Sequence, residues 1–243
     1  METAFLTSFR NSIFKIDHQY LRHFESELSL SGTATQAAST IRFDHDVARE
    51  TGRLYHDGPQ VCDNLSKQIA YQAFSEKTTR QYDWLLSSGV RFIHQDSDPY
   101  EGKSQPSKAM TEDVLKSGLL RVHRGGKEHH YLHEKDANGL SVNDKFRAIH
   151  DVFAHAMEGN SFGPKGEEQA WQYHVRMFSP PAVIAMTTET RGQNNWVNFG
   201  PHMFDEAGWK GTKNHPNYVS PKDRPFAVQK AFTLPAKYCV TPS

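Results

Sequence analysis

Two histidines spaced five residues apart place the strongest constraint on how this chain folds. His150 and His155 enclose the run Asp-Val-Phe-Ala within a stretch that has helical character. Five residues advance about 500° around a regular α-helix, so these two side chains should point roughly 140° apart. They can face a common point if one of them lies near a helix end or if the helix is distorted. The spacing therefore predicts either such a shared site or a pair of structural, hydrogen-bonded histidines.

Carboxylates and a third histidine lie close by in the sequence and widen the set of candidate metal ligands. Asp151 and His155 are four positions apart, and Glu167 and His174 are seven apart, so each pair shares one face of a regular helix. Two neutral imidazoles and one carboxylate leave up to three positions open on an octahedral ion, which is what a non-heme iron(II) oxygenase needs. Helical geometry alone leaves several ligand sets open.

Composition and charge argue against several classes of partner. Lys plus Arg and Asp plus Glu number 28 each, so the formal net charge is zero and no overall field attracts nucleic acid or an anionic membrane. The longest apolar run, residues 180–186, is too short to span a bilayer. Cys62 and Cys239 form no paired motif, so we expect neither a cysteine zinc site nor a disulfide scaffold. Residues 1–20 lack a signal-peptide pattern, and we expect a cytoplasmic protein.

The spacing of apolar residues predicts a mainly α fold with a few short strands. The clearest helix covers residues 64–88, where an apolar stripe ends at a glycine, and short strands are predicted at 90–94 and 119–123. We expect an N-terminal helical region over residues 1–89 and a metal-binding core with C-terminal loops over residues 90–243, joined in one integrated α-rich domain. Further helices are predicted at 1–30, 44–55, 108–117, from 143 past His155, at 167–178 and at 182–189, with a loop at 29–40 and ordered loops after 196.

Three longer motifs resemble a family of phage and prophage proteins. They read Asn-Asp-Lys-Phe-Arg-x-x-His-Asp-x-Phe-x-His at 143–155, Phe-Gly-x-x-Gly-Glu-Glu-x-Ala-Trp at 162–171 and Thr-Thr-Glu-Thr-Arg-Gly-Gln-Asn-x-Trp-Val-Asn at 187–198. The resemblance implies a phage-type origin, and therefore a location in the host cytoplasm. It implies no particular activity.

The segment around His150 also resembles the iron-binding core of the pterin-dependent aromatic amino acid hydroxylases. That family places two iron-binding histidines five residues apart, with a glutamate some forty residues later. Carried over to this chain, the resemblance implies a hydroxylase-like catalytic core with His150, His155 and Glu189 as ligands of Fe(II), and Zn or Mn as other possible ions. The chain departs from the family pattern at Asp151, at Ala154 and after Glu189, and the pterin-binding segments have no clear counterpart. A pterin requirement stays open.

Other charged residues near these ligands are candidates for supporting roles. Arg147 and Arg191 can hold a substrate carboxylate or phosphate through their planar guanidinium groups, or can pair with Asp144, Asp151 or Glu168. We therefore count Arg147, Asp151 and Arg191 as candidate catalytic residues. The candidates for orienting the imidazoles from behind, or for serving as alternative ligands, are Glu167, Glu168 and His174. If Glu189 is distant, Glu167 or His174 becomes the third ligand.

Three functions follow from this pattern. The first is a mononuclear non-heme iron(II) oxygenase or hydroxylase acting on a small-molecule substrate, aromatic by the hydroxylase resemblance or nucleotide-like by the phage resemblance. The second is an HD-type metal-dependent phosphohydrolase, in which His150 and Asp151 would need His130 or His133 and Asp205 as partners. The third is a non-enzymatic phage accessory or virion-associated protein with a structural polar cluster. The sequence leaves the oligomeric state open.

Overall fold

The protein is mainly helical, with a few short strands. A computed structural model describes residues 16–24, 43–124 and 128–239. Of the helix predicted at 1–30, the described part is α1, Ile16–His23, and the loop predicted at 29–40 lies outside the described residues. Among the described helices, none combines the length and the apolar character that crossing a lipid bilayer requires.

Two capped helices follow α1, and both agree closely with the sequence prediction. Helix α2 covers His45–Asp57, and the Asp44 side chain accepts hydrogen bonds from the backbone N–H groups of Asp46 and Val47 at its start. Helix α3 covers Leu65–Ser87, with Asn64 as its N-cap. Asp and Asn are favoured at this position because their side chains satisfy backbone N–H groups that have no partner within the helix.

The two predicted strands pair in parallel, and a helix connects them along the chain. Strand β1, Arg91–Gln95, pairs with β2, Leu119–His123, in a register that sets Arg91 opposite Leu119. Helix α4, Pro106–Ser117, connects them. It begins two residues before the predicted start, because proline fits the first turn of a helix. It ends at Gly118, whose positive φ of 62° is accessible to glycine without steric cost.

The predicted helix containing both histidines consists of two different kinds of helix. Helix α5, Val142–His150, begins with a capping box between Ser141 and Asp144. It continues without a break into a π-helix, Asp151–Ala156. The Met157 N–H bonds the Val152 carbonyl oxygen five residues back, at 3.0 Å. This π-helix is a distortion of the kind that allows histidines five residues apart to share a site.

The last helices of the core alternate with short 3₁₀ and π-helical segments. Helix α6, Pro164–His174, continues as a short 3₁₀ turn, Val175–Met177. Helix α7, Pro180–Thr187, runs into a second π-helix, Thr188–Gly192, and then into α8, Gln193–Phe199. The prediction of loops after residue 196 missed the end of α8 and a small hairpin of β3, Phe204–Asp205, and β4, Gly208–Trp209.

The core lies where α3 packs against α5 and α7. At its centre, the Phe74 ring lies 4.7 Å from the Phe146 ring and 5.5 Å from the Phe178 ring, measured between centroids. Buried residues of this core come from both the 1–89 and the 90–243 regions. A second contact joins α2 to α8. The Phe74, Phe146 and Phe178 cluster lies beneath the polar site, since His174 packs against Phe146 and Phe178.

Substituting Gly52 by alanine tests the close approach of α2 and α8. A Cβ atom at Gly52 would lie 2.7 Å from the Asn195 carbonyl oxygen, closer than van der Waals contact allows. We expect Gly52→Ala to lower the free energy of unfolding by about 1–3 kcal/mol through overpacking, although alanine has a helix propensity roughly 1 kcal/mol better than glycine. Urea denaturation measures the change. The exposed neighbouring substitution Arg53→Ala should stay within about 0.5 kcal/mol of the parent protein, and a stabilised Gly52→Ala variant would contradict this packing.

Candidate metal centre

Three side chains from two helical segments converge on one point. His150 ends α5, His155 lies in the π-helix that follows, and Glu167 lies in the first turn of α6. One potential ligand atom from each residue lies within 4.8 Å of the other two. His155 is buried, with 1% of its surface exposed, while His150 and Glu167 are partly exposed. The site is therefore held in the core but can be reached from solvent on one side.

The π-helix explains how both histidines reach the same point. In a π-helix the hydrogen bonds join residues five apart, so a side chain and the one five positions later lie roughly one turn apart on the same face. The rings of His150 and His155 have centroids 5.1 Å apart and are nearly perpendicular, at 82°. A regular α-helix would have directed them away from each other.

The distances within the group fit a shared ion better than direct hydrogen bonds. The Nε2 atoms of His155 and His150 lie 3.5 and 3.9 Å from Glu167 Oε2. A charge-assisted hydrogen bond would bring such atoms to about 2.7–2.9 Å. An ion bonded to each ligand at about 2.1 Å, with bond angles of roughly 90–110°, would hold two ligand atoms about 3.0–3.5 Å apart. The His155 Nε2 separation of 3.5 Å from Glu167 thus lies at the upper end of this range, and the His150 Nε2 separation of 3.9 Å lies beyond it.

The second nitrogen of each imidazole has its own partner. His155 Nδ1 lies 3.0 Å from the backbone oxygen of Asn160, and the Asn160 side chain in turn donates to the Ala154 carbonyl oxygen at 2.7 Å. His150 Nδ1 lies 3.0 Å from Nδ1 of His174, whose Nε2 lies 2.8 Å from Gln81 Oε1. Both Nδ1 atoms are thus occupied, and both Nε2 atoms face Glu167. Metal-binding histidines commonly show this division of roles.

The surroundings of Glu167, His155, His150 and His174 shift their pKa values and so determine their charges. Burial alone would raise the pKa of Glu167, but His155 and His150 outweigh it and lower that pKa to about 2. Burial alone would lower the pKa of His155, but the Glu167 carboxylate outweighs it and raises that pKa to about 9. Burial lowers the pKa of His150 and holds the pKa of His174 well below its ordinary value. In the absence of an ion, His155 and Glu167 therefore carry opposite charges, while His174 is neutral.

Glu189 does not join this group, which departs from the ligand set implied by the hydroxylase resemblance. Its Oε1 accepts from the Tyr71 hydroxyl at 2.6 Å and lies 3.1 Å from His129 Nε2, and its Oε2 accepts from Gln193 at 2.6 Å. The second π-helix directs Glu189 towards α3 and the segment at 128–133, where three polar groups satisfy the buried carboxylate. Among the described residues, Glu167 instead joins His150 and His155 in the group of three potential ligands. Glu167 was one of the alternatives named from the sequence.

Glu168 and Arg191 form a buried ion pair rather than a part of the group. Arg191 contacts both carboxylate oxygens of Glu168, through Nε at 3.0 Å and Nη2 at 2.6 Å, and its Nη1 donates to the Tyr238 carbonyl oxygen at 2.7 Å. The guanidinium lies over the Trp171 ring, 4.1 Å from its centroid. This arrangement joins α6 to the second π-helix and to the C-terminal segment, and each of the three guanidinium nitrogens of Arg191 has a partner outside the group of His150, His155 and Glu167.

Arg147 and Asp151 flank the ligands. Arg147 Nη1 donates to the backbone oxygen of His123 at 3.3 Å. Burial raises the pKa of Asp151 to about 7, opposed by His155 and reinforced by Glu167. Asp151 thus interacts electrostatically with His155 and Glu167, whereas the charged partners of Arg147 are Asp144 and Asp151.

The residues required by an HD-type phosphohydrolase lie elsewhere. His130 and His133 line a separate cleft of about 290 Å³, next to His129 and Glu128. Asp205 belongs to the β3–β4 hairpin, where it accepts from Asn217 at 2.9 Å and lies 3.0 Å from His215. Among the described residues, none of these three shares a group of potential ligands with His150.

A second acidic group has an explanation without an ion. Asp17, His18 and Glu158 also lie close together, where α1 meets the segment after the first π-helix. The Tyr173 hydroxyl donates to Asp17. Burial and the neighbouring Asp17 raise the pKa of Glu158 to about 7. A proton on Glu158 would relieve its repulsion with Asp17 without an ion.

Sequence reasoning missed Gln81, which contacts His174 behind His150, and Asn160, which contacts His155 directly. Gln81 is 93 residues from His174 in the chain, and no local pattern links them. Asn160 acts through its backbone oxygen, which every residue type possesses.

Comparisons of this chain with protein-family models, with curated proteins and with solved structures found no match. The assignment of a chemical role to the three ligands therefore rests on their local geometry.

Substituting Glu168 separates the ion pair from the ligand group. We expect Glu168→Gln to lower the free energy of unfolding by about 3–5 kcal/mol, because it leaves the buried Arg191 guanidinium without its counter-charge. Bound metal per folded protein should not change. Denaturation and elemental analysis of the same samples measure both quantities. Loss of metal from a folded Glu168→Gln protein would show that Glu168 belongs to the site.

Proposed function

We propose that His150, His155 and Glu167 bind one divalent transition-metal ion and that the protein is a mononuclear metalloenzyme of the non-heme iron(II) type. The carrying observation is the convergence of two imidazole Nε2 atoms on one carboxylate oxygen, at 3.5 and 3.9 Å. Two histidines and one carboxylate on one face of an octahedral ion leave its opposite face open, which is typical of non-heme iron(II) oxygenases. Zn or Mn would fit the same donors.

The residues around the group support binding of a small substrate beside the ion. The Phe162 ring lies 5.0 Å from the His155 ring, nearly perpendicular to it, and 40% of Phe162 is exposed. This exposed ring provides an aromatic surface at the edge of the site, and an aromatic or nucleotide-type substrate could pack on it. We infer that Arg147 and Asp151, which precede and follow His150 in the sequence, contact polar substrate atoms. Bound Fe(II) would supply dioxygen activation, while the chain would orient the substrate and exclude water.

A matched pair of carboxylate-to-amide variants tests the ligand assignment. We expect the parent protein, purified without chelator, to hold about one equivalent of metal. Glu167→Gln should weaken metal binding by more than the roughly 10- to 100-fold that is typical when a partner behind a ligand is changed. Glu189→Gln should keep the metal but lose stability, because an amide cannot accept from all three donors around Glu189. Elemental analysis and competition titration give the affinities.

The opposite pattern, with metal retained in Glu167→Gln and lost in folded Glu189→Gln, would restore the ligand set implied by the hydroxylase resemblance. Retention in both variants would overturn both ligand sets. Absence of bound metal in the parent protein, with unfolding unaffected by chelator, would favour the non-enzymatic alternative.

Reaction type is tested by loading the metal-free protein with Fe(II) under anaerobic conditions and then adding oxygen. We expect oxygen uptake that depends on a small aromatic or nucleotide substrate, and no uptake by the zinc-loaded protein or by His155→Ala. Hydrolysis of phosphoesters by the zinc-loaded protein, without oxygen uptake by the iron form, would favour the hydrolase alternative.

The charge of His155 predicts how metal affinity depends on pH. In the metal-free protein the pKa of His155 is raised to about 9, so its Nε2 carries a proton at pH 7 that an incoming ion must displace. We expect binding at pH 7 to release about one proton and the affinity to rise roughly tenfold per pH unit up to about pH 9. Calorimetry in buffers of different ionisation enthalpy measures the proton release. Binding without proton release would contradict this charge state.

A further inference from the structure

We propose that Gln81 and His174 are positioning residues that fix the tautomer of His150, so that its Nε2 lone pair faces the metal position. This inference rests on the proposed function, because it assigns how the same site is prepared for its ion. It follows from three linked hydrogen bonds, two buried and the last partly buried, that run from a backbone carbonyl in the core to His150.

The first of these hydrogen bonds involves a group that can only act as an acceptor. The Met177 carbonyl oxygen only accepts hydrogen bonds, and Gln81 Nε2 lies 3.1 Å from it. The side-chain amide of Gln81 is therefore oriented with its nitrogen towards Met177 and its oxygen towards His174. Gln81 is completely buried in α3, so water does not compete for either atom.

The orientation of Gln81 decides the tautomer of His174. Gln81 Oε1 is an acceptor, and it lies 2.8 Å from His174 Nε2, so Nε2 carries the hydrogen. His174 is fully buried, and its ring is stacked nearly parallel to the Phe146 ring, at 7° with centroids 5.9 Å apart. A neutral imidazole with hydrogen on Nε2 has a bare Nδ1, which can only accept.

The bare nitrogen of His174 then decides the tautomer of His150. The two Nδ1 atoms lie 3.0 Å apart, and a hydrogen bond of this length needs one donor and one acceptor. Since His174 Nδ1 accepts, His150 Nδ1 carries the hydrogen, and its Nε2 presents a lone pair on the side of Glu167. The other tautomer of His150 would set two lone pairs against each other and leave both Nδ1 atoms without a hydrogen bond.

The two ligand histidines are thus prepared by different means. A backbone oxygen, that of Asn160, accepts from His155 Nδ1, and the Asn160 side chain donates to the Ala154 carbonyl oxygen. His150 depends on two side chains from two other helices, α3 and α6. The hydrogen bond to His150 Nδ1 can therefore be disturbed by substituting side chains that do not touch the metal position.

The direct test reads the tautomers in the metal-free parent protein. Two-bond ¹H–¹⁵N correlation spectra of the imidazoles report which ring nitrogen carries the hydrogen. We expect hydrogen on Nε2 of His174 and on Nδ1 of His150. Hydrogen on Nε2 of a neutral His150 would overturn the proposal. This measurement needs no variant and does not depend on metal binding, so it can succeed or fail separately from the proposed function.

Gln81→Met provides the second test, because methionine nearly preserves the volume of glutamine but cannot form either hydrogen bond. We expect the ¹⁵N spectra to show a mixture of His150 tautomers and Zn²⁺ affinity to fall by about 10- to 100-fold. The control is Thr187→Val, which removes a buried side-chain hydrogen bond from Trp171 that does not involve the ligands, 3.0 Å long in the parent. Thr187→Val should lose stability with unchanged Zn²⁺ affinity.

Equal Zn²⁺ affinities for folded Gln81→Met and the parent protein would overturn the proposal, and so would an equal loss of affinity in Thr187→Val. If the parent protein binds Zn²⁺ but Gln81→Met has no effect, the metal site stands and only the positioning role fails. If Gln81→Met does not fold, the tautomers measured in the parent protein decide whether the positioning role holds.

Discussion

The arrangement of the site depends on one run of wide helical turns, the π-helix at Asp151–Ala156. Its hydrogen bonds between residues five apart place His150 and His155 on one face, at the point where α6 brings in Glu167. Such turns leave backbone groups less well paired than an α-helix does, and they persist where surrounding contacts hold them. Here the contacts are extensive, since α4, α5 and α6 all pack against the π-helix and most of its residues are buried.

Buried polar groups around the site fall into two sets with different roles. Gln81, His174 and Asn160 support the imidazoles, and each has a partner that fixes its orientation. The Glu168–Arg191 pair and the hydrogen bonds of Glu189 hold the C-terminal half against α3 and α6 without contributing to the ligand group. Satisfied polar networks of this kind specify one arrangement of helices, because any other leaves a charge or a donor buried without a partner.

Sequence patterns predicted much of the helical framework. The limits of α3 and the whole of β2 agree with prediction because caps, glycine stops and apolar spacing are local signals. The same patterns identified both histidines and offered Glu167 as an alternative ligand. They did not distinguish Glu167 from Glu189. The spacing of residues along a helix indicates which side chains share a face, but it does not indicate which other helix that face contacts. The resemblance to the hydroxylases favoured Glu189, whereas Tyr71 and His129 already satisfy that carboxylate in the fold.

The amino-acid sequence alone predicted a mainly helical protein with two histidines that can act together only near a helix end or in a distorted helix. Packing then settled which carboxylate meets them, because that depends on how α6 and the second π-helix are rotated against the core. It also brought Gln81 to His174 across 93 positions of the chain. The physical reason is the separation along the chain over which each interaction acts. The hydrogen bonds of a helical turn join near neighbours, whereas the partners of a buried side chain depend on the free energy of the whole core.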